Sequence, residues 1–346
     1  MFLLIFFFLT FSFEKNLNAD EIQFADSHGP ITVMGDHLHK KNELMFSLRF
    51  SKMNMDGMLS GNNVISANSV MSAPNGASDG SGNYMNSPIS MNMNMFMFGA
   101  MYAPTDNLTL MAMSSFNQKE MISQRMRMRG GSRFNVNSSG VGDTRISALL
   151  RFLENEFVKI HFAFGLSLPT GGIDERDTTP TSLNSRLGYK MQNGSGTFDP
   201  FFVINNISDF GKVKIGEQFQ IKRPISGDNS NGYRYGTSID TSIWLSYRWK
   251  KNFSTSLKIN FDYLGNIDGE DDQMNKRMSP VMDSKNIGHQ KLNLSFGFNY
   301  VNAFDYFKNN RLAFELILPL HQRVRGMQMA NEYKIMIGWQ NSFKGF

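Results

Sequence analysis

From Glu43 to Phe343 one pattern recurs, in which apolar and polar residues alternate at period two. That alternation puts successive side chains on opposite faces of an extended chain, so each segment predicts a β-strand with one apolar face. Twelve such segments lie near 43–52, 91–103, 108–121, 140–153, 157–169, 195–207, 212–223, 234–249, 253–266, 289–302, 310–322 and 332–343, separated by clusters of Gly, Asn, Asp, Ser and Pro. The first carries Leu44, Phe46, Leu48 and Phe50 on one face. The second sets Met91, Met93, Met95 and Met97 on one face against Asn92, Asn94, Phe96 and Phe98 on the other. Met111 and Met113 repeat the spacing in the third. A helix would spread these methionines around its whole circumference.

The connections alternate in length. Long stretches at 53–90, 122–139, 170–194, 224–233 and 267–288 and a moderate one at 323–331 are interleaved with short ones at 104–107, 154–156, 208–211, 250–252 and 303–309. This asymmetry predicts an all-β, transmembrane, antiparallel up-and-down β-barrel of about 12 strands, with short periplasmic turns and long extracellular loops. The Ser-, Asn- and Gly-rich region 60–90 reads as a flexible loop. Trp244, Tyr247, Trp249, Trp339 and Phe343 sit near strand ends, where aromatic rings would form an interfacial girdle. The terminal strand and Phe346 resemble the insertion signal of outer-membrane proteins. Phe2 to Phe13 is an apolar run followed by a small residue at Ala19, which reads as an export signal because about 20 apolar residues are needed to span a bilayer as a helix. The expected organisation is a signal peptide at 1–19, a periplasmic N-terminal segment at 20–42 and an outer-membrane barrel at 43–346, located in the bacterial cell outer membrane.

Composition narrows the function classes. The 35 basic and 30 acidic side chains give a net charge of +5 without blocks, so nothing points to a nucleic-acid partner. With no cysteine, disulfides, thiolate metal sites and a cysteine nucleophile are excluded. The expected partners are outer-membrane lipid, lipopolysaccharide and a small-molecule solute.

Several stretches together resemble the outer-membrane proteins grouped under the meta-pathway of phenol degradation, often described as transporters. They are Val-Met-Gly-Asp-His-Leu-His-Lys-Lys from Val33, Met-Asn-Met-Asp-Gly from Met53, Gly-Ala-Met-Tyr-Ala-Pro-Thr-Asp from Gly99 and Leu-Thr-Leu-Met-Ala-Met from Leu108. Ser-Ser-Gly-Val-Gly-Asp-Thr from Ser138, Leu-Ser-Leu-Pro-Thr-Gly-Gly-Ile-Asp-Glu-Arg-Asp from Leu166, Gly-Ser-Gly-Thr-Phe-Asp from Gly194 and Gly-Tyr-Arg-Tyr-Gly from Gly232 continue the series. The resemblance covers almost all of the mature chain and implies a barrel in the envelope. It departs at Asn42, where the family more often has Gly.

Within the N-terminal segment, His37 and His39 share a face if the chain is extended and could hold a metal with Asp36 or Met34. Imidazole with thioether suits copper, and the 25 methionines of the chain, concentrated in 34–128, extend that reading. The alternative is a polar lead-in to the barrel, with methionine as a flexible hydrophobe. No other cofactor is expected. Arg145, Arg151, Lys214, Arg248 and Lys258 fall inside strands, and charges are costly on a lipid-facing surface, so they are expected to line the lumen. Asp228-Asn-Ser-Asn-Gly resembles the serine motif of an outer-membrane phospholipase, but Asp228 stands where the catalytic histidine belongs, so a lipid hydrolase would need His161 or His289 as base. Asp268, Glu270, Asp271 and Asp272 lack calcium-loop spacing and read as a solvated surface. The expected function is passage or binding of a small, aromatic or hydrophobic solute, with soft-metal transport as the alternative and no enzymatic activity.

Overall fold

A computed structural model describes residues 24–77, 79–302 and 309–344. The export-signal reading at 1–19 and the terminal Phe346 lie outside the described residues.

Among the described residues, twelve antiparallel strands close into a barrel. They are β1 (Glu43–Ser60), β2 (Asn86–Thr105), β3 (Leu108–Arg125), β4 in two legs (Arg133–Val141 and Thr144–Glu154), β5 (Val158–Leu168), β6 (Asp199–Phe210), β7 (Val213–Lys222), β8 (Ser238–Lys250), β9 (Phe253–Leu264), β10 (His289–Val301), β11 (Asn310–Val324) and β12 (Met327–Lys344). Each pairs with its sequence neighbours, and β12 returns to β1 from Glu43↔Lys344 to Ser60↔Met327, which leaves no free edge along the closure.

The wall is polar inside and apolar outside. Along β1, Ser47, Arg49 and Ser51 are buried in the lumen while Phe46 and Leu48 are each 47 % exposed on the outer surface. Phe98, Phe164, Ile243, Ile259 and Phe296 repeat the outward apolar face around the barrel, and Asn205, Ser246, Lys258, Ser295 and Glu315 repeat the inward polar one. A water-soluble barrel would invert this order, because burial of apolar surface is what drives folding in water. Inward-facing groups of a membrane barrel instead meet each other, lumen water or a plug.

Three stretches expected as loop are ladder. β1 continues to Ser60, β3 to Arg125, and β4 begins at Arg133, so the expected loop at 122–139 shrinks to 126–132. Backbone hydrogen bonds carry a strand beyond the point where apolar alternation stops, and the polar residues 123–125 of β3 are of that kind. The moderate loop expected at 323–331 is a tight turn at Arg325–Gly326, with Gly326 at φ 60° supplying the left-handed residue. Residues 60–90 are not featureless either. Asn63–Ile65 folds back on β1, and a six-residue helix α1 (Ala67–Ser72), capped by Ser66 Oγ accepting from Ser69 N–H, buries Val70 and Met71.

Three glycine-rich motifs meet at one knot. Asp143, between the legs of β4, accepts from Gly171 N–H at 3.0 Å and from Ser195 N–H at 2.9 Å. A Cβ on Gly194 would lie 2.2 Å from the Gly171 carbonyl oxygen, so the two backbones approach as only glycines allow. Trp244 belongs to the lumen and not to an outer girdle. It shares an inward face with Ser242 and Ser246, is 2 % exposed, and lies over Gly216, where any side chain would collide with the indole. Trp249, 61 % exposed and donating Nε1–H to Thr255 Oγ1 at 2.9 Å, does face outward.

Candidate functional site

The N-terminal segment occupies the short-turn end of the lumen. Residues 24–42 hold one short 3-10 turn, Ala25–Ser27, and otherwise expose backbone groups that must find partners inside the barrel. The strands provide them. Ala25 N–H donates to Lys251 O at 3.0 Å, His39 N–H to Thr109 Oγ1 at 3.0 Å, and Thr32 N–H to Glu315 Oε2 at 3.0 Å. In return, His161 Nε2–H donates to Gly35 O at 2.8 Å, Asn205 Nδ2 to Asp36 O at 3.0 Å, Gln218 Nε2 to Met34 O at 3.0 Å, and Arg311 Nη2 to Gly29 O at 2.5 Å. Strands β3, β5, β6, β7 and β11 thus all hold the same short segment. Ile31, 1 % exposed among Met97, Ala313 and Met336, is its apolar anchor.

Of the residues singled out for metal binding, the fold brings Asp36, His37 and His39 together and adds His28. The His28 and His37 rings lie 4.5 Å apart and the His37 and His39 rings 4.8 Å. Asp36 accepts from His37 Nδ1–H at 2.9 Å and from Gly29 N–H at 2.6 Å. Burial would raise the Asp36 carboxyl, but His37, His28 and Arg311 outweigh it and hold it well below the usual carboxylate range. Burial, reinforced by His37 and Arg311, pushes His28 well below the usual imidazole value; burial also lowers His39 against the pull of Glu43. Met34 points elsewhere: its sulfur accepts from Arg49, beside Met95, Met97, Met113 and Met336.

The cations expected in the lumen fall into two groups. Arg145 lies 4.1 Å over the Phe201 ring and donates to Gln220 Oε1 at 2.8 Å, and Lys258 pairs with Glu315 at 2.7 Å while also donating to Thr32 Oγ1. Arg151, Lys214 and Arg248 ring the short-turn mouth. Arg151 pairs with Glu154 and donates to Asp106 O, Lys214 pairs with Asp209 at 3.0 Å, and Arg248 contacts Asp26 at 3.4 Å and the Phe24 ring at 4.0 Å. A cavity of about 1030 Å³ opens there, lined in part by His28, His37, His39, Arg151 and Lys214.

The methionine stripe faces inward. Met91, Met97 and Met101 of β2 are buried, as are Met45, Met55 and Met58 of β1, Met121 of β3 and Met329 and Met336 of β12. They form a thioether-lined strip on one side of the lumen. Elsewhere in the lumen, β8 to β10 present Asp240, Ser242, Asn260, Asp262, Asn293 and Ser295 to a polar cavity of about 220 Å³.

The long-loop end is closed by a cap. Met55, Met58, Met91, Met121 and Met329 pack against Val70, Tyr84, Leu187, Met191 and Val281 from the loops. Tyr189 and Tyr233 meet edge to face at 5.0 Å, Asp271 N–H donates to the Tyr189 hydroxyl, and Asp283 accepts from Tyr84. Of the acidic patch, Asp271 lies 3.1 Å from Arg186, Asp268 3.3 Å from Arg234, and Glu270 contacts Lys276, while Asp272 is exposed. Beside the hairpin Arg176–Thr179 and Ser182–Arg186, a cavity of about 480 Å³ reaches Met121, Phe134, Val136 and Leu187 beneath a rim of Arg125, Arg176 and Gln273. Ser230 is exposed in this cap, while His161 bonds Gly35 and His289 bonds Asp262 at 3.0 Å, so neither histidine serves the serine.

Sequence reasoning passed over Asn205, Gln218, Arg311 and Glu315, strand residues that fasten the N-terminal segment. The available signal was their place on the polar face of a strand, which many other residues share.

No family model and no curated protein matches the chain. Among solved structures, an outer membrane channel from Pseudomonas putida F1 resembles it with a TM-score of 0.60 at 13 % identity, over 90 % of this chain and 99 % of that one. The CymD monoaromatic hydrocarbon channel (TM-score 0.41, 10 % identity, 88 % of this chain and 89 % of that one) is more distant. So is the Ralstonia pickettii toluene transporter TbuX (0.39, 10 %, 88 % and 90 %). At such identities the first likeness bears on the fold alone, and none of the comparisons shows the phenol-degradation group as the family of this chain.

Proposed function

We propose that the chain is an outer-membrane passage for a small apolar or aromatic solute, with the short turns and the N-terminal segment at the periplasmic face and the cap outside. The observation that carries this reading is the inward methionine strip running from beneath the 480 Å³ cavity towards the N-terminal segment. A cavity of that size suits a small ligand. Thioethers are polarizable and conformationally adaptable, so a strip of them accepts apolar molecules of varied shape without fixed hydrogen bonds. The rim arginines and glutamine would orient a polar substituent. The solute enters at the cap, moves along the strip, and leaves when the N-terminal segment shifts.

The test uses the protein in vesicles whose outer leaflet carries lipopolysaccharide, comparing permeation of toluene with that of a sugar of similar size. The protein should accelerate toluene selectively, and Met97→Lys with Met121→Lys should remove the advantage by placing cations on the strip. Equal acceleration of both solutes, or a double variant as active as the parent, would refute the reading.

A further inference from the structure

The N-terminal segment contains more chemistry than a plug requires. We infer that His28, His37 and His39 form a binding site for one borderline divalent cation, of the class of Zn(II), Ni(II) or Cu(II), with Asp36 and Glu43 as the carboxylates that orient two of the imidazoles. The site stands on the geometry of this segment alone and does not depend on what the barrel conducts.

The spacing fits. With a metal–nitrogen distance of about 2.0–2.1 Å, imidazoles around a tetrahedral ion have ring centres roughly 5 Å apart. The observed separations, 4.5 Å for His28 and His37 and 4.8 Å for His37 and His39, are close to that value. Ligand-capable atoms of His28, His37 and Asp36 lie within 4.8 Å of one another, and His39, outside that group, reaches it through its ring contact with His37. The orientation fits as well. His37 gives its Nδ1–H to Asp36 at 2.9 Å, and His39 Nδ1 lies 3.2 Å from Glu43 Oε1. Each carboxylate fixes the tautomer that leaves Nε2 with its lone pair, the arrangement in which a carboxylate or carbonyl supports a metal-bound histidine. His37 Nε2 and His39 Nε2 are both buried and make no hydrogen bond among the described residues. A buried imidazole nitrogen without a partner is costly unless something binds there.

Asp36 is better suited to orient than to ligate, because both its oxygens are committed, one to His37 and one to the Gly29 N–H. The three histidines also line the 1030 Å³ cavity at the short-turn mouth, which gives a hydrated ion a route in. Imidazole ligands with carboxylate support favour borderline dications over Cu(I) or Ag(I), for which thioether would be needed. Met34, the one methionine of residues 24–42, has its sulfur on Arg49. Binding would tie His28 at one end of the turn to His37 and His39 at the other, and so clamp the segment that fills the lumen.

The experiment is a titration of the full, folded barrel with Co(II) alone, followed by absorption in the visible ligand-field region, and then displacement by Zn(II). The expected result is an intense tetrahedral spectrum that saturates at one ion per chain and is lost in His37→Gln and in His39→Gln. Gln retains a hydrogen-bonding side chain at each site, and the heat-modifiable mobility of the barrel on gels confirms that each variant is folded. Chelation of the Co(II)-loaded parent should return the metal-free spectrum, a check that needs no variant. Absence of saturable binding in the parent, unchanged binding in both folded variants, or uptake of Ag(I) in preference to Co(II) and Zn(II) would overturn the proposal.

Discussion

Excision of residues 24–39 should convert the barrel from closed to conducting. The N-terminal segment fills the short-turn half of the lumen, and its ties to the wall include hydrogen bonds with Thr109, His161, Asn205, Gln218, Arg311 and Glu315. The barrel itself closes by the ladder between β1 and β12, which begins at Glu43 and owes nothing to the residues before it. Removing the segment therefore empties the lumen without opening the wall, and the polar groups it leaves behind can be solvated by water. In planar bilayers the intact chain should show little steady current. The shortened chain should show stepwise ohmic conductance at least about tenfold higher, since a water-filled barrel conducts where a packed one does not. A shortened chain that folds and remains closed would place the main barrier in the long-loop cap.

Glu315→Ala should give the largest effect of any single substitution on retention of the N-terminal segment and on barrel stability. Glu315 is 1 % exposed and has three partners: Lys258 at 2.7 Å, the Thr32 amide at 3.0 Å and the Thr32 hydroxyl at 2.7 Å. Lys258, itself 5 % exposed, would be left with a buried charge lacking its carboxylate. Breaking a buried pair by removing one member costs about 3–5 kcal/mol, and the adjacent polar cavity of about 220 Å³ lets water relieve part of it, which favours the lower end. The urea midpoint of the folded barrel in lipid should fall accordingly, and bilayer current should rise as Thr32 loses its anchor. Glu315→Gln keeps acceptors for Thr32 and should recover current more than stability. Equal effects of the two substitutions would mean that the carboxylate charge, and not the hydrogen bonds to Thr32, holds the segment in place.

Much of the fold was legible because a membrane barrel writes itself into sequence at period two. Leu44, Phe46, Leu48 and Phe50 alternate with Met45, Ser47, Arg49 and Ser51, and each segment expected near those boundaries is a strand. Strand ends were less legible: the backbone ladder continues through residues 123–125 and 53–60, where side-chain pattern no longer reports it. The direction of the methionine stripe needed the register, since alternation says that Met97 and Phe98 face opposite ways but not which faces lipid. Trp244 shows the same limit, because its inward stacking depends on Gly216 in the neighbouring strand. In the site, the clustering of Asp36, His37 and His39 followed from their spacing, whereas His28 joined only through the turn that Asp36 makes with Gly29. Glu315 and Arg311 are remote in sequence from everything they hold.

The placement of the N-terminal segment inside the barrel is tested most directly with single cysteines, which report cleanly because the chain has none of its own. Ile31→Cys, at a position 1 % exposed between β2 and β11, should resist a small water-soluble maleimide in the folded barrel in lipid, while Lys41→Cys, at an exposed position, should react at once. Both should react equally in urea. Protection of Ile31→Cys that disappears only on unfolding is the predicted result; folded-state labelling of Ile31→Cys as fast as that of Lys41→Cys would contradict it.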